Sequence, residues 1–256
     1  MSATGPGTYN PGMSYQRGPY GGGGVTIMVP PVTPMMKWIL IALSVSFGVQ
    51  VMLRLTAIGP LVEGFLALDP SLVLGRGMVW QVVTYAMLHG DIFHLLFNLL
   101  GIWMFGGDVE RILGSKGFLK FVVICAVGGA VLHLAVALLV EGGGARVIGV
   151  SGSVLGILVA FALFYPDRQI FLFPLPVPVK AWIVAIVFGA INLYNAVSAN
   201  QGGGIAFVAH LGGMLTGWLY IKGFIKPGGW NLSRFRSPKR RGFKVIEGDR
   251  RDPFLH

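Results

Sequence analysis

Apolar residues run along this chain in six stretches, each near the roughly 20 residues an α-helix needs to cross a bilayer. They cover about 36–55, 89–106, 118–140, 148–165, 179–197 and 203–224. The pattern predicts an all-α, polytopic membrane protein, a six-transmembrane-helix bundle over 35–225. Before it, residues 1–34 are rich in Gly and Pro with no apolar period, which predicts a disordered tail. After it, 226–256 reads as a polar, basic tail. The connection over 56–88 is longer than most helix–helix links and has apolar pieces at 61–68 and 72–79. An interfacial, partly submerged element is expected there.

Composition supports the membrane reading. Hydrophobic residues make up 54% of the chain and charged ones only 12%, against about 25% charged in soluble domains. Mean hydropathy is +0.71. The single cysteine, Cys125, excludes an internal disulfide framework and reads as packing within an apolar run. The start of the chain lacks a basic region followed at once by an apolar core, so no cleaved signal peptide is expected.

The net charge of +10 raises nucleic acid as a partner, but its distribution argues against it. With the N-terminus inside, the outer segments hold only Arg54, Arg76 and Arg146, and the other 17 Lys and Arg fall inside. That split predicts both termini in the cytoplasm and a charge that serves topology and anionic lipid. A bacterial inner membrane is the expected location.

With that topology the second, fourth and sixth stretches all enter from the outside. His89, His94 and Asn98 open the second, Ser151 opens the fourth, and His210 lies about two turns into the sixth. All fall within roughly 5–15 Å of the outer surface. Polar and ionisable groups at such depth are functional candidates. A serine and a histidine are the minimum parts of a nucleophile and its base. Gly149 and Gly152 flank Ser151 and allow close backbone approach to an exposed hydroxyl. Gly213 and Gly217 form a small-residue face that would let the sixth helix pack tightly and bring His210 near Ser151. His94 and Asn98 are four apart and share a helix face, so both could donate to a developing oxyanion or simply join helices. His133 has no nameable partner. No acid stands out as a third member, since Asp91 lies outside the apolar core and Asp108 and Glu110 at the inner end of the second stretch. A Ser151–His210 dyad is therefore expected, without metal or cofactor. His89 and His94 are five apart with no Glu between them, which does not suit a zinc protease helix.

Taken together, these residues resemble the rhomboid intramembrane serine proteases over about 36–224. His94-Leu95-Leu96-Phe97-Asn98, with His89 before it, resembles the family's His-x-x-x-Asn of the second span. Gly106-Gly107-Asp108-Val109-Glu110-Arg111 is similar to the segment ending that span. Gly149-Val150-Ser151-Gly152 matches Gly-x-Ser-Gly, and Ala209-His210-Leu211-Gly212-Gly213 with Gly217 matches Ala-His-x-x-Gly-x-x-x-Gly. The resemblance implies a rhomboid-like six-helix bundle in which Ser151 attacks a peptide carbonyl and His210 accepts its proton. It also implies that His94, Asn98 and the Ser151 N–H hold the oxyanion, with His89 and Gly149 beside them in the oxyanion or substrate-binding site. Single-span membrane proteins in the lipid bilayer are the implied substrates. Two positions depart from the pattern: Trp80-Gln81 stands where many members have Trp-Arg, and Leu155 where many have an aromatic supporting the histidine. An inactive relative that binds membrane helices for quality control is the alternative reading. A transporter is disfavoured, because the inner halves of the fourth and sixth stretches are apolar.

Overall fold

A computed structural model describes residues 30, 32–139, 144–171, 177–198 and 205–223, without the side chain of Ile205. Nearly all of both expected tails lies outside these residues. Six long helical segments answer the six apolar stretches. They are α1 (Pro34–Arg54), a continuous helix from Ile92 to Leu113, α7 (Ser115–Ala137), α8 (Ser151–Phe164), α9 (Ala181–Ser198) and α10 (Ile205–Lys222). The Ile92–Leu113 helix comprises α5 (Ile92–Gly101), one wide turn over Ile102–Gly106, and α6 (Gly107–Leu113). It runs further inward than the expected 89–106, and it starts at Ile92 because the Asp91 carboxylate caps it, accepting from the N–H groups of Phe93 and His94 at 2.8 and 2.9 Å. Those N–H donors hold the exposed Asp91 carboxyl below its ordinary range. His89 therefore precedes the helix.

Among the described residues, α1, Ile92–Leu113, α7 and α9 are long and apolar enough to cross a membrane. α8 is apolar but has only 14 residues, about 21 Å of helix against a hydrocarbon core of about 30 Å. It starts at Ser151, three residues later than the expected 148–165, because Gly149 has φ +113° and cannot be helical. α8 is also the central helix, with nine of its residues buried, from Gly152 to Ala162.

The long connection folds into α2 (Gly59–Leu66), α3 (Pro70–Arg76) and α4 (Gln81–Thr84), followed by a tight turn at Tyr85–Met87. Buried Gln81 organises it: its carbonyl accepts from Asp69 N at 3.0 Å and its amide donates to Gly64 O at 3.1 Å. An arginine has no acceptor and could not meet the Asp69 N–H, so the Trp-Gln departure has a local structural use. Arg54 pairs with Glu63 and donates to the carbonyls of His89 and Gly90, clamping the segment before α5 onto α1. At the other face, buried Glu110 accepts from Thr33 Oγ1, the N–H groups of Met35 and Met36, and Ser115 Oγ, fixing the start of α1 to α6 and α7. An anionic group at a helix N-terminus is favourable on both hydrogen-bond and dipole grounds.

The all-α architecture carries a small β element. Strands β1 (Gln169–Phe171) and β2 (Pro178–Lys180) form an antiparallel ribbon in register Ile170 to Val179. Pro178 opens β2, and its missing N–H and fixed φ do not suit a helix interior. The fifth helix accordingly starts at Ala181 rather than 179.

Candidate active site

The segment leading into Ser151 is extended and held from three sides. Val147 and Leu68 exchange backbone hydrogen bonds of 2.9 and 3.0 Å, and Gly149 N donates to Tyr85 O at 2.9 Å. His133 Nε2 lies 3.0 Å from Ala145 O, so a backbone carbonyl of this segment is the partner the sequence could not supply. Arg146 pairs with Asp69 at 3.2 Å. These ties bring the chain down among the helices and start α8 at a defined point.

α10 then brings the histidine in. It packs against α8 through paired glycines: a methyl on Gly213 would lie 2.1 Å from Gly152 O, and one on Gly217 would lie 2.9 Å from the Gly156 Cα. The small-residue face of α10 thus meets a matching face on α8, and the backbones approach as only glycines allow. Ser151 Oγ and His210 Nε2 sit 2.6 Å apart. Ser153, two residues on, is spent differently: its buried hydroxyl donates to Val122 O at 2.8 Å.

The other nitrogen of His210 is also occupied. Nδ1 lies 2.7 Å from Asn192 Oδ1 on α9. Asn192 is buried, and its amide nitrogen donates to Phe188 O at 2.7 Å. This residue went unseen in the sequence, where it is one polar side chain in an apolar stretch. Its only sequence signal is being an amide that hydrocarbon would penalise. The dyad geometry therefore has a third, uncharged member.

α5 supplies the opposite wall. A methyl on Gly149 would lie 2.7 Å from His94 Nε2 and 3.7 Å from Ser151 Oγ, so both polar atoms border one small space that Gly149 keeps open. Gly90 N–H points at His94 Nδ1, at a long 3.5 Å. That leaves Nε2 as the protonated nitrogen, facing Gly149. Asn98 is buried on the same helix face, and its Nδ2 has no hydrogen-bond partner among the described residues. A buried unsatisfied amide costs about 1–3 kcal/mol, which suggests a donor kept for a transient partner. His89 is fully buried, and its ring meets that of His94 edge-on at 5.2 Å. α8 has no side-chain cap, so the first N–H groups of the helix, including that of Ser151, are left for a ligand. Among the described residues no cluster of His, Cys, Asp or Glu could hold a metal.

A serine hydrogen-bonded to a histidine, with N–H donors across a small space, inside a bundle of apolar helices, defines a polytopic membrane protein with a hydrolase-like site. Residues 76–227 match the rhomboid domain, more than half of the chain, and the chain belongs to the rhomboid family. It is 31% identical to Rhomboid protein 1, mitochondrial, of Saccharomyces cerevisiae, over 60% of this chain and 42% of that protein. It is 30% identical to Rhomboid-like protein 15 of Arabidopsis thaliana, over 66% of this chain and 46% of that protein. A shorter match, 43% identical over 56 residues, links it to Rhomboid protease GlpG of Enterobacter, covering 22% of this chain and 20% of that protein. The chain spans less than half the length of each of these relatives. As a member of the family it is an integral, multi-pass membrane protein.

Proposed function

We propose that this chain is an intramembrane serine protease that hydrolyses peptide bonds in or near the membrane segments of single-span proteins. The observation that carries the reading is the 2.6 Å contact between Ser151 Oγ and His210 Nε2 at the uncapped start of α8. A binding-only relative has no need to hold a hydroxyl against an imidazole beside open N–H donors. In this reading His210 Nε2 takes the Ser151 proton as Oγ attacks the carbonyl carbon. The Ser151 N–H, His94 Nε2–H and Asn98 Nδ2–H receive the oxyanion, each worth roughly 3–4 kcal/mol when well placed. His210 then passes its proton to the leaving amine, and water deacylates Ser151 by the same base. Hydrolysis needs water within hydrocarbon, and the shallow depth that the topology assigns to Ser151, His94 and His210 would let a cavity from the near face wet the site. A substrate helix must first unwind, because its carbonyls are bonded internally, so glycine near the cut favours cleavage. The test is incubation of purified protein in detergent with a single-span substrate carrying such a segment. Defined fragments are expected, and an intact substrate under conditions where the protein stays folded would refute the proposal.

Two further outcomes follow from the oxyanion assignment. His94→Ala and Asn98→Ala are each expected to lower turnover roughly 10²-fold, with a stability loss no larger than the ~0.6–2 kcal/mol of a membrane side-chain hydrogen bond. A variant that melts far earlier yet turns over normally when folded would mark these residues as packing only. Gly149→Ala strains a backbone at φ +113° and drives a methyl into His94. A comparable fall in turnover is expected, since displacements near 1 Å cost about 10²-fold.

The finer localisation is also a proposal. The 17-to-3 charge split supports both termini on the inner side and the site opening outward. A reporter after His256 should then be inside and one inserted at Glu141–Gly144 outside, and the reverse pattern would overturn this orientation. The yeast relative carries "mitochondrial" in its name, and the GlpG match covers only 22% of this chain. The bacterial inner membrane therefore draws no support from the relatives.

A further inference from the structure

Proton transfer from Ser151 requires a bare nitrogen at His210 Nε2. A neutral imidazole carries its proton on either nitrogen, so something must keep it on Nδ1. The family's aromatic one turn beyond the serine is absent here: Leu155 is buried and offers no polar atom. Phe207 meets the His210 ring edge-on at 5.9 Å, one turn earlier on the same helix, and its apolar contact does not choose between the nitrogens.

Asn192 does choose. Its amide could face His210 with either oxygen or nitrogen, and the backbone settles which. Phe188 O, one turn back on α9, accepts at 2.7 Å from the other end of the amide. A carbonyl only accepts, so the NH2 group must face Phe188 and Oδ1 must face His210. Oδ1 likewise only accepts, so the nitrogen 2.7 Å away must carry the proton. The orientation of one helical carbonyl is thus passed through an amide to an imidazole and fixes which ring nitrogen faces Ser151. We infer that Asn192 is a positioning residue for the site: it locks His210 in the Nδ1–H form and so presents Nε2 as the base.

The inference rests on the proposed hydrolytic reading for its purpose, but not for its first test. In protein labelled with ¹⁵N histidine and held in micelles, the His210 resonances, identified by their loss in His210→Gln, should report the Nδ1–H form. In Asn192→Leu, similar in size but without an acceptor, they should shift to a mixture of both forms. This readout is independent of whether any substrate is cut. Unchanged resonances in a folded Asn192→Leu protein would overturn the inference while leaving the protease reading intact.

Kinetics give the second test. Asn192→Leu should lower kcat roughly 10- to 100-fold with KM unchanged, as expected when a base is misplaced without loss of binding. Asn192→Asp keeps the acceptor and should keep most of the turnover. Its carboxylate at Nδ1 stabilises the positively charged ring, which must lose its Nε2 proton before it can act, so the acid limb of the kcat/KM profile should move to higher pH. Of the titratable groups among the described residues, His94 on α5 is the one that acts electrostatically on His210; the shift must therefore persist in a His94→Gln background. A purely structural asparagine predicts wild-type kcat in folded Asn192→Leu and an unmoved profile in Asn192→Asp, and either result overturns the role. Should Asn192→Leu fail to fold, the Asn192→Asp profile alone decides.

Discussion

Ser151→Ala is expected to abolish cleavage of a single-span substrate while leaving the protein folded. Losing the nucleophile of a serine hydrolase site costs on the order of 10⁴–10⁶ in kcat. The nearby hydroxyl cannot substitute, because Ser153 Oγ is buried and already donates to Val122 O. The fold should hardly notice the change. The glycine contacts that seat α10 on α8 lie beyond Ser151, and the hydroxyl's hydrogen bond to His210 is worth about 1 kcal/mol. Cleavage by purified mutant and wild-type protein, with melting measured on the same samples, checks both halves. Substantial residual proteolysis would remove Ser151 from the mechanism.

His210→Ala should cost nearly as much, and the double variant should be little worse than either single one. Nucleophile and base act as a unit, so their losses do not add. Without the imidazole, Oγ has no acceptor at 2.6 Å and stays a weak nucleophile. The substitution also releases Asn192 and leaves a space between α9 and α10, so some destabilisation is expected alongside. If cleavage fell by the same factor as the folded fraction, the effect would be structural. A loss of several orders of magnitude in folded protein supports the role of base. Losses in the double variant that multiply would mean that the two residues act separately.

Much of this arrangement was written in local pattern. Six apolar stretches gave six long helices, and the four-residue spacing of His94 and Asn98 put both on one face. Gly213 and Gly217 advertised a close helix contact, although the partner face, Gly152 and Gly156, emerged only in three dimensions. What stayed hidden was long-range or conformational. Asn192 lies 18 residues from His210 in sequence and belongs to another helix, so no spacing rule connects them. The late start of α8 depends on the backbone of Gly149, which hydropathy does not register: residues 148–150 are as apolar as the helix they precede. The ribbon of 169–171 with 178–180 was hidden too, since strands of three residues are too short to show a period of two and Val179 and Lys180 read as the start of the fifth span. His133 found a backbone carbonyl, a partner that side-chain chemistry cannot foretell. His89 was grouped with the oxyanion donors by its place in a motif, and its buried ring meets that of His94 edge-on.

The central claim is that Ser151 is an activated nucleophile, and covalent labelling tests it without knowledge of the substrate. Folded protein in detergent is treated with a fluorophosphonate probe, and the modified peptide is identified by mass. The account predicts stoichiometric modification at Ser151 in the wild-type protein, none in Ser151→Ala, and a rate cut by orders of magnitude in His210→Ala. Failure of the folded wild-type protein to label, or labelling at Ser151 that proceeds equally fast without His210, would contradict it.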